Sequence, residues 1–353
     1  MPEVRHRATR TAALLVATLA VALGGAPVTA TAAPAPATAL AAPGQDEEGG
    51  TPALRDALEA ASKGYLDAKR ALDTSVQRQK QLAAEVQATD AQLAERTQQV
   101  GEIAGLAYRT GRLSAASALL NSGSPDGFMD RAAALDTIAA NEDRALRELQ
   151  QARETANRAK LAVEIEIREQ TKQKAVMAKR KQQAERALTV ANQRAAAADS
   201  GDSVRGTSSK TARPAPRNSD GSYPSESCSV NDPTPANGCI TPRTLHALNQ
   251  AKAAGFTRYV SCYRPGGSGE HPKGRACDFA AQKGGFGGDA TGGDRTYGNN
   301  LAAYFVNNSD RLAVLYVIWY RQIWLPSSGW KSYSGANGDP SSDHTNHVHL
   351  SVY

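Results

Sequence analysis

Two short stretches near the C-terminus decide the fold of this chain: SGEHPKGRACDF at residues 268–279 and DHTNHVHLSVY at residues 343–353. Together they hold four of the six histidines. In the second stretch, apolar residues occupy every second position from Val348 to Val352, a pattern that is typical of a half-buried β-strand. Since residues i and i+2 of a strand share a face, we expect His347 and His349 to point to the same side of a sheet.

The first stretch predicts a second strand at residues 274–279, entered from a Gly/Pro turn, with His271 before it and Asp278 within it. Two imidazoles and a carboxylate form a ligand set for Zn²⁺ that leaves a fourth position for water. A zinc ion polarises a carbonyl and lowers the pKa of its bound water to about 7. A further imidazole nearby can transfer a proton or stabilise an oxyanion. Asp343 and His344 either orient such a residue or form a surface turn. The alternative is two unconnected clusters with surface histidines.

The His271-x6-Asp278 pattern, with a later His347-x-His349, resembles the LAS (M15-like) zinc metallopeptidases. This superfamily includes D-Ala-D-Ala carboxypeptidases, murein endopeptidases and the hedgehog domain. The resemblance covers about residues 228–353. It implies an α+β domain with a small antiparallel sheet carrying a zinc site. In that site His271, Asp278 and His349 would bind Zn²⁺, and His347 would be the catalytic residue beside the metal.

The stretch VSCYR, which ends at Arg264, is similar to the SGYR strand of the same superfamily. The resemblance implies that Arg264 binds a substrate carboxylate; the alternative is that it fixes the following loop by hydrogen bonds. Two positions depart from the pattern. Ser268 lies three residues before His271 instead of two, and Asn346 replaces the Glu of the carboxypeptidase members. Proton transfer is then expected to fall to His347, as in the endopeptidase members.

Residues 1–32 have the features of a secretory signal peptide. Arginines precede an apolar stretch at Ala12–Leu23 that is short for a membrane span, and Ala30-Thr31-Ala32 fits a cleavage site. The alternative is an uncleaved anchor helix. We therefore expect a secreted, extracellular or cell-wall-associated protein that is not an integral membrane protein after cleavage. Residues 33–51, rich in Ala, Pro and Gly, are expected to be disordered.

The four cysteines, Cys228, Cys239, Cys262 and Cys277, all lie in the last third of the chain. In an exported chain an even number of cysteines indicates disulfides, and three connectivities are possible. A four-cysteine zinc site is the alternative, although no pair has CxxC spacing. We expect Cys228–Cys239, which closes a short Pro/Gly-rich loop. The LAS resemblance implies that the strands carrying the other two cysteines are neighbours, which favours Cys262–Cys277.

Residues 52–199 are rich in Ala, Gln, Glu, Lys and Arg. Apolar residues repeat every seven positions from Leu58 to Val100 and, after a Gly/Pro break at residues 121–127, again as far as Ala191. This heptad pattern predicts an all-α antiparallel coiled-coil hairpin. It is either a solvated stalk or a docking arm for a partner, and the residue pattern favours the stalk.

The stretch AYRTGRLSAASALLNSGSPDGFMDRAAALDTI, residues 107–138, resembles the coiled-coil segment of actinobacterial NlpC/P60-type cell-wall hydrolases. The resemblance implies a cell-wall setting and a membrane partner from the division machinery, engaged through the coiled coil. We expect no cysteine-protease domain to follow, because Cys228 and Cys239 lie in Pro/Gly loops rather than at a helix start.

Residues 200–222, rich in Ser, Gly and Pro, predict a flexible linker, and residues 223–353 are long enough for a compact domain with its own core. The 41 Lys and Arg residues are scattered and only slightly outnumber the 35 Asp and Glu residues, so we expect no nucleic-acid partner.

Together these features predict a secreted zinc metallopeptidase that cleaves peptidoglycan peptides through a metal-activated water, as an endopeptidase or in a carboxypeptidase-like manner. The alternative is a non-catalytic coiled-coil scaffold or activator of a cell-wall hydrolase, with a LAS-like domain that binds peptidoglycan. Degenerate activators usually lose metal ligands. This sequence retains His271, Asp278 and His349, which favours the enzyme.

Overall fold

The computed structural model describes residues 50–111, 114–194, 206–333 and 338–353. Long N-terminal helices precede a C-terminal domain built on a small antiparallel sheet, as expected from the sequence. The predicted signal peptide lies outside the described residues, and so does nearly all of the predicted disordered segment.

The N-terminal part consists of two long helices, α1 (Pro52–Thr110) and α3 (Pro125–Arg194), with the short helix α2 (Ser114–Leu120) between them. Thr51 caps the N-terminus of α1, and its hydroxyl accepts a hydrogen bond from a first-turn amide. Gly111 caps the C-terminus, and its φ of 74° is a conformation that favours glycine. Of the helices in the described ranges, none has a stretch long and apolar enough to cross a bilayer.

α1 and α3 lie side by side and run in opposite directions: positions later in α1 contact positions earlier in α3. Ser75 donates to Glu166 at 2.6 Å, and Arg96 forms an ion pair with Glu148 at 3.0 Å. The buried side of α1 follows one of the predicted heptad registers. Six of the nine buried residues of α1 are spaced seven positions apart: Leu54, Ala61, Ala68, Ser75, Leu82 and Thr89.

The C-terminal domain contains eight strands among the described residues: β1 (Val230–Asn231), β2 (Cys239–Ile240), β3 (Val260–Ser261), β4 (Ala276–Ala280), β5 (Val314–Trp319), β6 (Gln322–Leu325), β7 (Gly329–Ser332) and β8 (His347–Val352). β1 and β2 form a separate pair, and the others form one antiparallel sheet in the order β3-β4-β8-β5-β6-β7. The helices of this domain are α4 (Pro242–Ala253), α5 (Gly292–Asn307) and α6 (Ser309–Leu312).

The two faces of the six-stranded sheet have different neighbours. Val348, Leu350 and Val352 of β8 pack into the main core together with residues of α4 and α5. The residues between them, His347, His349 and Ser351, therefore lie on the opposite face, which confirms the alternation expected from the sequence.

Part of the predicted linker belongs to the C-terminal domain. Within residues 206–222, the amide of Ala212 donates to Asn308 Oδ1 at 2.8 Å, and the amide of Ala215 donates to the carbonyl of Arg311 at 2.6 Å. Both alanines are buried. This segment is therefore held along the domain rather than hanging free, because its backbone groups and small side chains dock beside α6.

Both expected disulfides are present, which confirms the predicted pairing. Cys228–Cys239 joins the segment before β1 to β2. Cys262–Cys277 joins the residue after β3 to β4, whose neighbouring strands pair in the sheet.

Candidate metal centre

The predicted ligands come together on the sheet face opposite α4 and α5. Asp278 in β4 lies directly opposite His349 in β8, and both are fully buried. His271 enters from the loop between β3 and β4. This loop turns at Gly274, which has a φ of 69° and whose amide donates to the His271 carbonyl at 2.9 Å. A side chain at Gly274 would meet the sulfur of Cys228, so the turn requires glycine on two counts.

The three ligand groups converge on one point. His271 Nε2 lies 3.1 Å from Asp278 Oδ2, and His349 Nδ1 lies 2.9 Å from Asp278 Oδ1. The two ring nitrogens are 3.3 Å apart. One ligand atom from each residue lies within 4.8 Å of the others, so this buried group could hold a metal ion.

The remaining ring nitrogens have their own partners. His271 Nδ1 donates to the carbonyl oxygen of Cys262, and His349 Nε2 donates to Ser351 Oγ at 2.7 Å. Tyr316 stacks on His349 with ring centroids 5.6 Å apart. These contacts fix the ring orientations and leave the nitrogens that face Asp278 available to a metal ion.

Arg264, predicted to bind substrate, contacts the candidate metal ligand Asp278. Its Nη1 donates to Asp278 Oδ2 at 2.6 Å. Burial would raise the pKa of Asp278, but its electrostatic interactions with His271 and Arg264 and its hydrogen bond with His271 outweigh burial and hold that pKa well below its usual value. Asp278 therefore stays ionised, which is the form that binds a metal.

His347, the predicted catalytic residue, lies beside this carboxylate. Its Nδ1 donates to Asn346 Oδ1 at 2.6 Å, and its Nε2 lies 3.5 Å from Asp278 Oδ1 with no hydrogen bond among the described residues. The amide of Asn346 donates to the Gly287 carbonyl and to Ser341 Oγ, which holds it in place. Burial lowers the pKa of His347 to about 4, so the ring is neutral near pH 7.

His344 also belongs to this cluster. It is fully buried, and its ring centroid lies 4.7 Å from that of His347. Its Nδ1 donates to the Ser342 carbonyl at 3.1 Å, while its Nε2 has no hydrogen bond among the described residues. Burial, with the neighbouring His347 and His349, lowers its pKa well below the usual value. Asp343 is buried too and pairs with Arg321 at 2.6 Å, so this segment is not a surface turn.

No role was predicted from the sequence for three supporting residues: Ser351, Tyr316 and Asn346. Ser351 was detectable in principle, because the two-residue period of β8 places it on the same face as His349. Tyr316 depends on the pairing of β5 with β8, which no local pattern reveals. Asn346 was visible only as a departure from the superfamily pattern.

Comparison with known proteins gives one match. Residues 236–348, about a third of the chain, match the family model described as the VldE C-terminal domain. The matched range contains His271, Asp278 and His347 and ends one residue before His349. No curated protein and no solved structure matches the chain.

Proposed function

We propose that this protein is a secreted zinc peptidase of the LAS (M15-like) type that cleaves peptidoglycan peptides. In this proposal the C-terminal domain is catalytic, and α1 and α3 form an antiparallel coiled-coil hairpin that positions it at the cell wall and engages a membrane partner. One observation carries the proposal: buried His271, Asp278 and His349 converge, with His347 beside the same carboxylate.

The donor chemistry of the three residues fits zinc. Two imidazole nitrogens and one carboxylate are a usual zinc set, whereas magnesium and calcium prefer oxygen ligands throughout. His271, Asp278 and His349 would hold the ion. Bound zinc supplies a water of lowered pKa and polarises the peptide carbonyl.

The side chains around this group have separate tasks. His347 is neutral, and the proton on its Nδ1 is donated in a hydrogen bond to Asn346 Oδ1. Its Nε2 therefore has a free lone pair, which can accept a proton and later return it to the leaving amine. Arg264 keeps Asp278 charged and oriented. His271 and His349 are held by their outer hydrogen bonds.

A second candidate function has one observation in its favour. The three candidate metal ligands and His347 are at most 1% exposed, so no peptide can reach them in this conformation. A permanently closed site would make the protein a non-catalytic scaffold or an activator of a separate cell-wall hydrolase.

Digestion of muropeptides tests the proposal. The chain from residue 33 onward is loaded with zinc, incubated with cross-linked and pentapeptide muropeptides, and the products are identified by mass spectrometry. We expect peptide-bond cleavage by the wild type and a loss of at least about 100-fold in His347→Ala, which retains zinc. His246→Ala is the matched control, because His246 lies on α4 and contacts the Arg213 carbonyl instead of the cluster. Bound zinc with no cleavage by any variant would favour the scaffold or activator.

A further inference from the structure

We propose that the base of the helix pair closes the metal centre, and that this base must leave the sheet before a substrate can enter. The base is defined as residues 54–61 of α1 and 184–188 of α3. The identity of the substrate, a peptidoglycan peptide, rests on the proposed function, whereas the closure follows from the packing described below.

The helix pair and the metal centre occupy one continuous face of the sheet. Register pairs run across five neighbouring strands: Asp278 lies opposite His349, His349 opposite Ile318, Ile318 opposite Ile323, and Ile323 opposite Lys331. Directly paired residues share a face, so these five side chains form one row. The first two belong to the metal centre, and the next three lie under the helix pair.

The apolar contact covers the middle of this row. Ile318 and Ile323 are buried in one cluster with residues from both helices and from neighbouring strands. The members from the helix pair are Leu54, Leu58, Ala61, Ala184 and Leu188. Lys331 at the end of the row pairs with Glu185 of α3 at 3.6 Å. Tyr316, which stacks on His349, is part of the same cluster, so the packing extends to the ring of a candidate ligand.

A polar contact ties α1 to the loop that delivers His271. Before that histidine, Arg55 donates to Ser268 Oγ at 2.5 Å. After it, Glu59 accepts a hydrogen bond from Lys273 at 2.7 Å and another from Arg275. The first turns of α1 are therefore attached to the loop on both sides of a candidate ligand.

The burial of the centre is consistent with a lid that must open. His271 is 1% exposed, and Asp278, His347 and His349 are 0% exposed. A peptide carbonyl has to approach the metal and His347 together, which requires displacing whatever covers them. The base contact combines a few apolar residues with ion pairs, as in interfaces between domains that separate. Release of the base from the sheet would expose the sheet face that carries the metal centre without unfolding the sheet.

The experiment measures access to the centre independently of activity. The metal-free chain from residue 33 onward is treated with diethyl pyrocarbonate, and the modification rate of each histidine is read by peptide mass spectrometry. Glu59→Lys places a positive charge beside Lys273 and Arg275, and its control Glu95→Lys makes the same change at an exposed position of α1.

Leu188→Asp weakens the apolar contact from α3, and its control is Leu161→Asp, where the side chain is 52% exposed. His246 serves as an internal reference, and circular dichroism verifies the fold.

We expect His271 and His349 to react at least about tenfold faster in Glu59→Lys and Leu188→Asp, with His246 and both controls unchanged. With zinc bound, muropeptide cleavage should rise in the same two variants. Faster modification without cleavage would leave the closure standing and count against the peptidase. If the histidines of both variants are modified as slowly as those of the wild type, the proposed closure is wrong, even if the wild type cleaves muropeptides.

Discussion

Nη1 of Arg264 lies 2.6 Å from Oδ2 of Asp278, the carboxylate that also faces His271 and His349. This ion pair is almost completely buried, so Arg264 compensates a negative charge that water cannot reach. A bound metal would share that task, because it would place positive charge beside the same carboxylate.

Arg264→Ala should therefore destabilise the metal-free protein more than the zinc-loaded protein. Removing one partner of a buried ion pair typically costs about 3–5 kcal/mol. Urea unfolding with and without zinc measures the difference, and Arg264→Lys, which keeps the charge, should lie between the wild type and the alanine variant. An equal loss in both conditions would show that Arg264 and the metal do not act on the same charge.

Ser351→Ala should weaken zinc binding by about 10- to 100-fold, the usual effect of removing a hydrogen-bond partner of a metal ligand. Ser351 accepts the hydrogen bond from His349 Nε2 that leaves Nδ1 facing Asp278. Ser261→Ala is the control, because Ser261 is also buried, pairs with Asp278 in the sheet, and makes no side-chain hydrogen bond among the described residues. Competition with a chromophoric chelator measures both affinities. Equal affinities in the two variants would remove Ser351 from the site.

The Cys262–Cys277 disulfide should stabilise both the fold and the metal centre. Cys262 accepts the hydrogen bond from His271, and Cys277 precedes Asp278. Replacing both cysteines by Ala should cost about 3 kcal/mol in the free energy of unfolding and at least about tenfold in zinc affinity. The matching double variant at Cys228 and Cys239 should lose comparable stability with a smaller change in affinity. The same loss of affinity in both double variants would contradict this assignment.

Gly274→Ala should destabilise the protein by about 2–4 kcal/mol, because alanine is strained at positive φ and its Cβ would lie 2.6 Å from Cys228 Sγ. Gly284→Ala is the control, since a Cβ there meets nothing within 4 Å. Chemical unfolding monitored by fluorescence compares the two variants. A stable Gly274→Ala protein would mean that the turn before β4 adapts more easily than its contacts indicate.

Local patterns in the sequence were sufficient for the long N-terminal helices and for the two strands that carry Asp278 and His349. The heptad spacing predicted the buried row on α1 from Leu54 to Thr89, and the alternation in β8 placed His347 and His349 on one face. The LAS resemblance implied that β3 and β4 are neighbours, and the second disulfide joins them as expected. Each of these inferences depends on residues close in sequence or on neighbouring strands.

The contacts that close the site could not be predicted in this way. Arg55 and Ser268 are 213 positions apart, and nothing in the heptad pattern distinguishes residues that face α3 from residues that face the sheet. Likewise, the Ser/Gly/Pro composition of residues 206–222 did not reveal that Ala212 and Ala215 would be buried against the domain. Long-range packing decided these features.

The amount of zinc bound by the purified chain tests the central claim most directly. After loading and dialysis, the wild type and His246→Ala should each retain about one zinc per chain, and His349→Ala should retain less than about 0.1 while keeping its fold by circular dichroism. A wild type without zinc, or a His349→Ala variant that still holds about one ion per chain, would contradict the assignment of His271, Asp278 and His349 as the metal centre.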